Sequence, residues 1–424
     1  MIILGIYLIT IVLCVILAKE IMAKLWFGIV GIYTGITYSV YVLRPDLFSI
    51  LKIGVLGDSM SEVGLFLTLS MWCNFLVYFL LSRSKFGYSI IDLKLRRRPK
   101  VAYFLGFHLF LLIMLAGYFI GNQEKFNWGD DVNSLGNAWY ALGYRIFSGL
   151  TMLLIGFTLV EKTNNRRLYC LIIIASVAVI FSVALKASAR SDMVYFMLGV
   201  VVLFWLHFKI PARRIFLVSL IAIPAVLLVG QLMLLQRASI EGDSLTLLGL
   251  VFENLGSLDD DTIVMLVSQD YFSPGATLIM SVEKNIVDPV AVIMSNVFNS
   301  IYFINHETIS AIVVDEYGLS FARGAGFAYI NYAEGYNFMG FTGFLYNGLA
   351  CGLLLHILNV DFKGVSKAHE NILKAILAIL MMQIIRSQVG VALKVLYTFL
   401  PIYYLYCQVF GYSLRFRLSR ISSA

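Results

Sequence analysis

Residues 168–185 read LYCLIIIASVAVIFSVAL, a charge-free stretch that lies between Arg166-Arg167 and Lys186. An apolar helix of this length is long enough to cross the hydrocarbon core of a bilayer. A lone strand could not do so, because its backbone N–H and C=O groups would have no partners in lipid. The stretch therefore predicts a transmembrane α-helix with basic residues at both ends.

The same pattern recurs along the chain, whose 424 residues are 60% hydrophobic and only 13% charged. Soluble domains carry about 25% charged residues, so this composition excludes a water-soluble globule, a disordered chain and a coiled coil. We predict an all-α, polytopic integral membrane protein with eleven transmembrane helices. The predicted spans are 2–18, 25–43, 63–81, 101–120, 141–160, 168–185, 192–208, 215–235, 340–358, 372–385 and 391–409.

The basic residues concentrate in alternate connections between these spans, as in KLRRRPK at 94–100 and KIPARR at 209–214. By the positive-inside rule these connections are cytoplasmic. The predicted orientation has the N-terminus periplasmic and the C-terminus cytoplasmic, in a bacterial inner membrane. The net charge of +7 then reflects membrane orientation rather than a nucleic-acid partner. No cysteine pair or histidine group has the spacing of a metal site.

The predicted organisation has three parts: spans one to eight in 1–235, a large external loop at 236–326, and spans nine to eleven with a cytoplasmic tail in 327–424. The loop holds twelve acidic and three basic residues. Its apolar patches, 245–252 and 286–304, are interpreted as short amphipathic helices on the membrane surface or over a cavity. The alternative makes 286–304 a twelfth span.

Charged residues at membrane depth are functional candidates because lipid disfavours them. Arg145, Lys186, Arg190 and Arg386 all fall near the predicted external boundary, where cations suit a phosphate or diphosphate group. The alternative is that they extend to the interface and contact lipid phosphates. Asp192 either favours the N-terminus of its helix through the helix dipole or orients Arg190.

A second cluster lies where the long loop re-enters the membrane. It contains Arg323 and then Glu334, with tyrosines at 329, 332 and 336. A carboxylate in these surroundings could act as a general base or hold a sugar hydroxyl; alternatively, it pairs with an arginine. His306 is a lone loop histidine, which is either solvated or an external acid or base.

The layout resembles the bacterial O-antigen or oligosaccharide repeat-unit polymerases, the Wzy family. The resemblance is carried by ARSD at 189–192, by GAG at 324–326 with Glu334, and by NFMGFTG at 337–343. The family's RX10G-type loop motifs do not match the spacing after Arg237 or Arg323, so no role is transferred from them.

The resemblance implies a glycosyltransferase that polymerises undecaprenyl-diphosphate-linked oligosaccharides at the periplasmic face, without cofactor or metal. Arg190, Arg386 and Lys186 would neutralise the leaving diphosphate, and Glu334 or His306 would accept a proton. The other implied substrate-binding residues are Arg323, Asp192, Arg145 and Asn337. The bilayer, a chain-length regulator and a flippase of the same pathway are the implied partners. The alternatives are a transporter or flippase of lipid-linked oligosaccharides and an O-antigen ligase.

Overall fold

The computed structural model describes residues 1–45, 59–83, 89–95, 101–121, 135–160, 166–186, 190–209, 275–301, 308–317, 329–358, 367–386, 388–391, 393, 401, 404 and 412–418. The helices are α1 (Ile2–Leu17), α2 (Ile21–Leu43), α3 (Met60–Arg83), α4 (Val101–Gly121), α5 (Leu135–Val160), α6 (Arg166–Lys186), α7 (Arg190–Phe208), α8 (275–283), α9 (Pro289–Ser300), α10 (Ile309–Asp315), α11 (Asn331–Met339), α12 (Gly343–Leu358) and α13 (Lys367–Ile385). The strands are β1 (Ser89–Leu95) and β2 (Tyr412–Leu418).

The chain is a helical membrane protein, and helices cover nine of the predicted spans. The predicted span 215–235 lies outside the described residues, as does most of 391–409. Four described stretches are long and apolar enough to cross a bilayer. They are Met22–Leu43, Met60–Arg83, Arg166–Val183 and Asn331–His356.

One group of helices comprises α4, α5, α6, α7 and α13, and α5 contacts the other four. Met152 and Gly156 of α5 face Gly199 and Leu203 of α7, so these two helices are parallel. Gly199, level with Met152, faces Ile379 of α13, whereas Gly156, level with Leu203, faces Ile372. Helix α13 is therefore antiparallel to both α5 and α7. These directions agree with alternate crossing of the membrane.

The second group contains α1, α2, α3 and α12. Cys73 and Val77 of α3 face Gly348 and Gly352 of α12, so α3 and α12 are parallel and close together. A Cβ atom at Gly348 would lie 2.6 Å from the Cβ atom of Cys73. Small residues allow such close approach between helices in a membrane. The predicted third and ninth spans therefore run in the same direction.

Helices α11 and α12 form a tight antiparallel hairpin around Gly340–Thr342. Gly340 has φ of +61°, a conformation that favours glycine. The side-chain amide of Asn347 donates to the carbonyl of Tyr332 over 3.0 Å, and that of Asn331 contacts the Cys351 sulfur over 3.0 Å. Asn331–His356 has the length and hydropathy of a span, yet a straight helix would place Asn331 and Cys351 about 30 Å apart. The first turns of α11 therefore lie level with the middle of α12.

Part of the predicted external loop packs into the protein. Residues 276–282 of α8 are buried, and a Cβ atom at Gly275 would meet Thr37 of α2. Helix α9 has 12 residues, or about 18 Å, which is too short to cross a bilayer by itself. Its polar residues Ser295 and Asn299 are buried, whereas Val290 is 70% exposed. Helix α9 is thus amphipathic, with its apolar face outward.

Strands β1 and β2 pair antiparallel, with Ser89 opposite Leu418 and Leu95 opposite Tyr412. The hydropathy pattern predicts helices alone, so this sheet was not expected from the sequence. Both strands fall in segments that were predicted to be cytoplasmic. Their pairing brings the two segments together.

Candidate functional site

The candidate site centres on Glu334, which α11 carries and which has no exposed surface. Oε1 of its carboxylate accepts hydrogen bonds from the Asn296 side-chain amide and the Tyr346 hydroxyl, each over 2.7 Å. Oε2 accepts one from the backbone N–H of Val389 over 2.9 Å. All three donors are neutral, and no arginine or lysine pairs with this carboxylate among the described residues. Glu334 thereby joins α9, α11, α12 and the segment 388–391.

The segment 388–391 docks directly onto α9. The Gly390 N–H donates to Oδ1 of Asn296 over 2.8 Å, which orients the Asn296 amide nitrogen toward Glu334. A Cβ atom at Gly390 would lie 2.3 Å from the Asn296 carbonyl oxygen. The buried Gln388 side chain donates to Ser295 and accepts from the Ile309 N–H over 3.2 Å. The polar face of α9 therefore forms one wall of the site.

Arg386 lies three residues before Val389, immediately after α13 ends. Its guanidinium is half-buried, with Cζ 5.5 Å from the ring centroid of Tyr33 on α2. Because Val389 contacts Glu334, the chain brings Arg386 and Glu334 to the same end of the helical bundle. The backbone thus places Glu334, the predicted base, near Arg386, one of the predicted phosphate-binding residues.

The positions of the other predicted cations follow from the helices that carry them. Arg190 is the first residue of α7 and Lys186 the last of α6, and Asp192 lies within the first turn of α7. Since α7 is antiparallel to α13, Arg190 lies at the same end of the bundle as Arg386. The half-buried Arg145 lies near that end of α5, which runs parallel to α7.

The remaining predicted residues are Asn337, Arg323 and His306. Asn337 is buried and its side chain is fully engaged: it accepts from Tyr329 over 2.8 Å and donates to the Ile286 carbonyl over 2.8 Å. It therefore fastens the hairpin to the residues that precede α9. Arg323 and His306 lie outside the described residues.

A second carboxylate, Glu283, lies at the end of α8 and was not predicted. Tyr41 and Tyr317 donate to its two oxygens over 2.6 and 3.2 Å. Burial, followed by the nearby Glu283 carboxylate, raises the pKa of Tyr317 above its ordinary value. The Lys284 ammonium stands 5.2 Å from the Tyr317 ring centroid. Glu283 thus joins α8 to Tyr41 of α2 and to Tyr317, which follows α10.

Glu62, in the first turn of α3, is a further carboxylate in contact with a tyrosine. The Tyr336 hydroxyl lies 3.3 Å from Oε1 of Glu62 and 3.3 Å from Oδ1 of Asn285. Only one feature of the sequence pointed to these contacts, namely the tyrosines at 329, 332 and 336, which flank Glu334 along the chain. It held no signal for their partners, which are distant along the chain.

No group of three or more histidine, cysteine, aspartate or glutamate side chains with metal-binding geometry occurs among the residues that the structure describes. No family model, curated protein or solved structure shows a significant match to the chain.

Proposed function

We propose that the protein is a membrane glycosyltransferase that polymerises undecaprenyl-diphosphate-linked oligosaccharide repeat units at the periplasmic face of a bacterial inner membrane. The observation that supports the proposal is the docking of the Arg386-bearing segment onto Glu334, through the 2.9 Å bond from Val389. Arg386, which would bind the diphosphate, and Glu334, which would accept the proton, then belong to one reaction site.

In this reaction, a hydroxyl of the acceptor repeat unit attacks the anomeric carbon of the growing chain. A new glycosidic C–O bond forms, and the C–O bond to the diphosphate breaks. Glu334 accepts the hydroxyl proton, and Arg386 with Arg190 and Lys186 stabilises the charge on the departing undecaprenyl diphosphate. The diphosphate is already an activated leaving group, so the reaction requires no nucleotide.

The burial of Glu334 sets a condition on this mechanism. Among the described residues its carboxylate has three donors, and it has no exposed surface, so the acceptor hydroxyl must replace one of them. Tyr346 and Asn296 belong to different helices and are the donors that side-chain motion can remove. Binding of the glycan is therefore coupled to a movement of α9 or of Tyr346, and this movement also excludes water from the reacting groups.

The test uses purified protein with lipid-linked repeat units, read as polymer ladder length over time. Loss of a general base costs about a hundred- to ten-thousand-fold in rate, which we expect for Glu334→Gln. Tyr346→Phe is the matched control: it removes one donor from the carboxylate and leaves the proton acceptor, so ladders should persist. Near wild-type ladders from Glu334→Gln would remove Glu334 from the reaction.

The diphosphate role has a separate test. Arg386→Ala should abolish extension while the protein remains folded, and Arg386→Lys should rescue it only partly, because an ammonium lacks the two-pronged donor geometry of guanidinium. Normal ladders from Arg386→Ala would make this residue an interfacial anchor.

The orientation is tested by reporter fusions after Leu250 and Arg98, which should report the periplasm and the cytoplasm respectively. The same side for both would contradict the external placement of the loop 236–326 and of the site.

A transporter or flippase of lipid-linked oligosaccharides is the second candidate. The broken α11–α12 hairpin favours it, because discontinuous helices form the binding sites of many transporters. The glycan of a deletion mutant separates the classes: single repeats on the lipid indicate a lost polymerase, and an absence of surface glycan indicates a lost flippase. Polymer retained on the carrier would indicate a lost O-antigen ligase.

A further inference from the structure

The two faces of the β1–β2 sheet differ in composition. Successive residues of a strand belong to opposite faces of the sheet, so the pairing register assigns each residue to one face. One face holds the pairs Ile91–Phe416, Leu93–Leu414 and Leu95–Tyr412, all of them apolar or aromatic residues. A two-stranded sheet is at best marginally stable in water, so this apolar face requires a cover.

The opposite face of the sheet is basic. It holds the pairs Ile90–Arg417, Asp92–Arg415 and Lys94–Ser413, with three basic residues and one acidic residue. The sequence beside the sheet is basic as well, with RRRPK at 96–100 and Arg420. A partner that covers the apolar face therefore meets an excess of positive charge, which favours an anionic surface.

The chain holds the sheet close to the membrane. Helix α3 is long and apolar enough to cross a bilayer, and residues 84–88 join its end to β1. Residues 96–100 join β1 to the apolar helix α4. Either connection can extend about 20 Å at most. Only residues 410 and 411 separate β2 from the predicted span 391–409, so both strands are tied to membrane helices.

The helices that the structure describes do not supply the cover. None of them packs extensively against β1 or β2. The open edges of the sheet need water for their backbone groups, which excludes the hydrocarbon core of the bilayer. The headgroup region offers water to these edges and an apolar boundary to one face.

We propose that the β1–β2 sheet docks on the membrane surface. Its apolar face lies toward the acyl chains, and its basic residues attract anionic phospholipids. Amphipathic helices with one apolar and one basic face bind membranes through the same two contributions. This docking is independent of glycosyl transfer. It would fix the connection between α3 and α4 at the membrane surface.

The test replaces Phe416 with the photocrosslinker p-benzoylphenylalanine in the full chain, reconstituted in nanodiscs of phosphatidylcholine and phosphatidylglycerol. Illumination should produce a phospholipid adduct, detected by mass spectrometry of the intact protein. The same replacement of Arg415, the neighbouring residue on the opposite face, is the matched control and should give little adduct. The proposal is overturned by a cross-link from position 416 to another protein segment, or by a lipid yield no greater than that at position 415.

The mass of the adduct also identifies the lipid. At position 416 we expect phosphatidylglycerol adducts to exceed that lipid's share of the bilayer by about twofold or more, because surface cations attract anionic headgroups. Adding Arg415→Glu and Arg417→Glu should remove this enrichment. Adding Lys19→Glu and Lys24→Glu makes the same change of charge at two exposed residues outside the sheet, and should leave it intact. Adducts in proportion to the bilayer composition in the otherwise wild-type chain would overturn the preference for anionic lipid.

Discussion

The two helix groups are held together by different kinds of contact. Around α5 the interfaces are mostly apolar, and Gly156 and Gly199 face the flexible ends of Ile372, Ile379 and Met152. Around the α11–α12 hairpin, buried amides and hydroxyls join α3, α11 and α12, and the Glu334 carboxylate joins α9, α11 and α12. Apolar contacts suffice to pack helices in lipid, whereas buried polar groups are costly there and concentrate where a protein acts. The comparison therefore suggests that the group around α5 serves packing, whereas the group around the hairpin carries the chemistry.

The largest expected effect is from Gly343→Ala in the polar group. The new Cβ atom would lie 1.8 Å from the Gly335 carbonyl oxygen, and backbone cannot move as a side-chain end can. We expect a loss of more than about 3 kcal/mol, seen as little or no monodisperse protein after purification. Gly106→Ala is the control, because a Cβ atom there meets nothing within 4 Å. A Gly343→Ala protein as stable as this control would mean that the hairpin is not closed as described.

Asn296→Ala comes next, since it removes a donor from Glu334 and an acceptor from Gly390 at once. We expect a loss of about 2–4 kcal/mol, as two buried groups lose their partners. Asn296→Asp keeps the acceptor but sets a second carboxylate against Glu334. Its Tm should be lower at pH 8 than at pH 5, because acidification neutralises one of two adjacent like charges. A Tm of this variant that does not change with pH would show that the two side chains do not meet.

In the apolar group, Gly199→Ala should cost about 1–3 kcal/mol, because its Cβ atom would lie 2.5 Å from Ile379 Cδ1. Truncation of that neighbour in the double variant Gly199→Ala/Ile379→Val should recover most of the loss in Tm, a coupling that a double-mutant cycle measures. No side-chain truncation can rescue Gly343→Ala in the same way. Additive losses in the cycle would contradict the packing of α7 against α13.

The smallest expected effect is from Lys374→Ala on α13. Lys374 pairs with Glu370 one turn earlier, and both side chains are about a quarter exposed. Such helix pairs contribute about 0.3–0.5 kcal/mol. The Tm should therefore stay within about 1 °C of the wild-type value. A larger fall would show that this end of α13 has a structural role beyond the ion pair.

The sequence was sufficient for the helices that hydropathy defines. The span predicted at 101–120 is Val101–Gly121 in the structure, and that at 168–185 lies within Arg166–Lys186. The hairpin could not be predicted this way, because Asn331–His356 has the hydropathy of one straight span. The reversal depends on the backbone of Gly340, which composition does not reveal. The strands did leave a signal, the alternation in YSLRFRL at 412–418, which is typical of β structure.

For the site, the sequence identified Glu334 and the end of α13 as candidates because charges at membrane depth are rare. It could not identify Asn296 or Val389 as partners of Glu334, since neutral amides and backbone groups carry no such signal. It also offered an arginine partner for Glu334, and the structure describes neutral donors in its place.

The β1–β2 sheet has a consequence for biogenesis. Strand β1 leaves the ribosome early, whereas its partner is synthesised after every helix that the structure describes. Until then, β1 presents an unpaired edge that other chains could use. Strand β2 therefore completes a pairing with a strand more than 300 residues earlier, and a chain truncated before Tyr412 would insert its helices yet leave that early strand open to association.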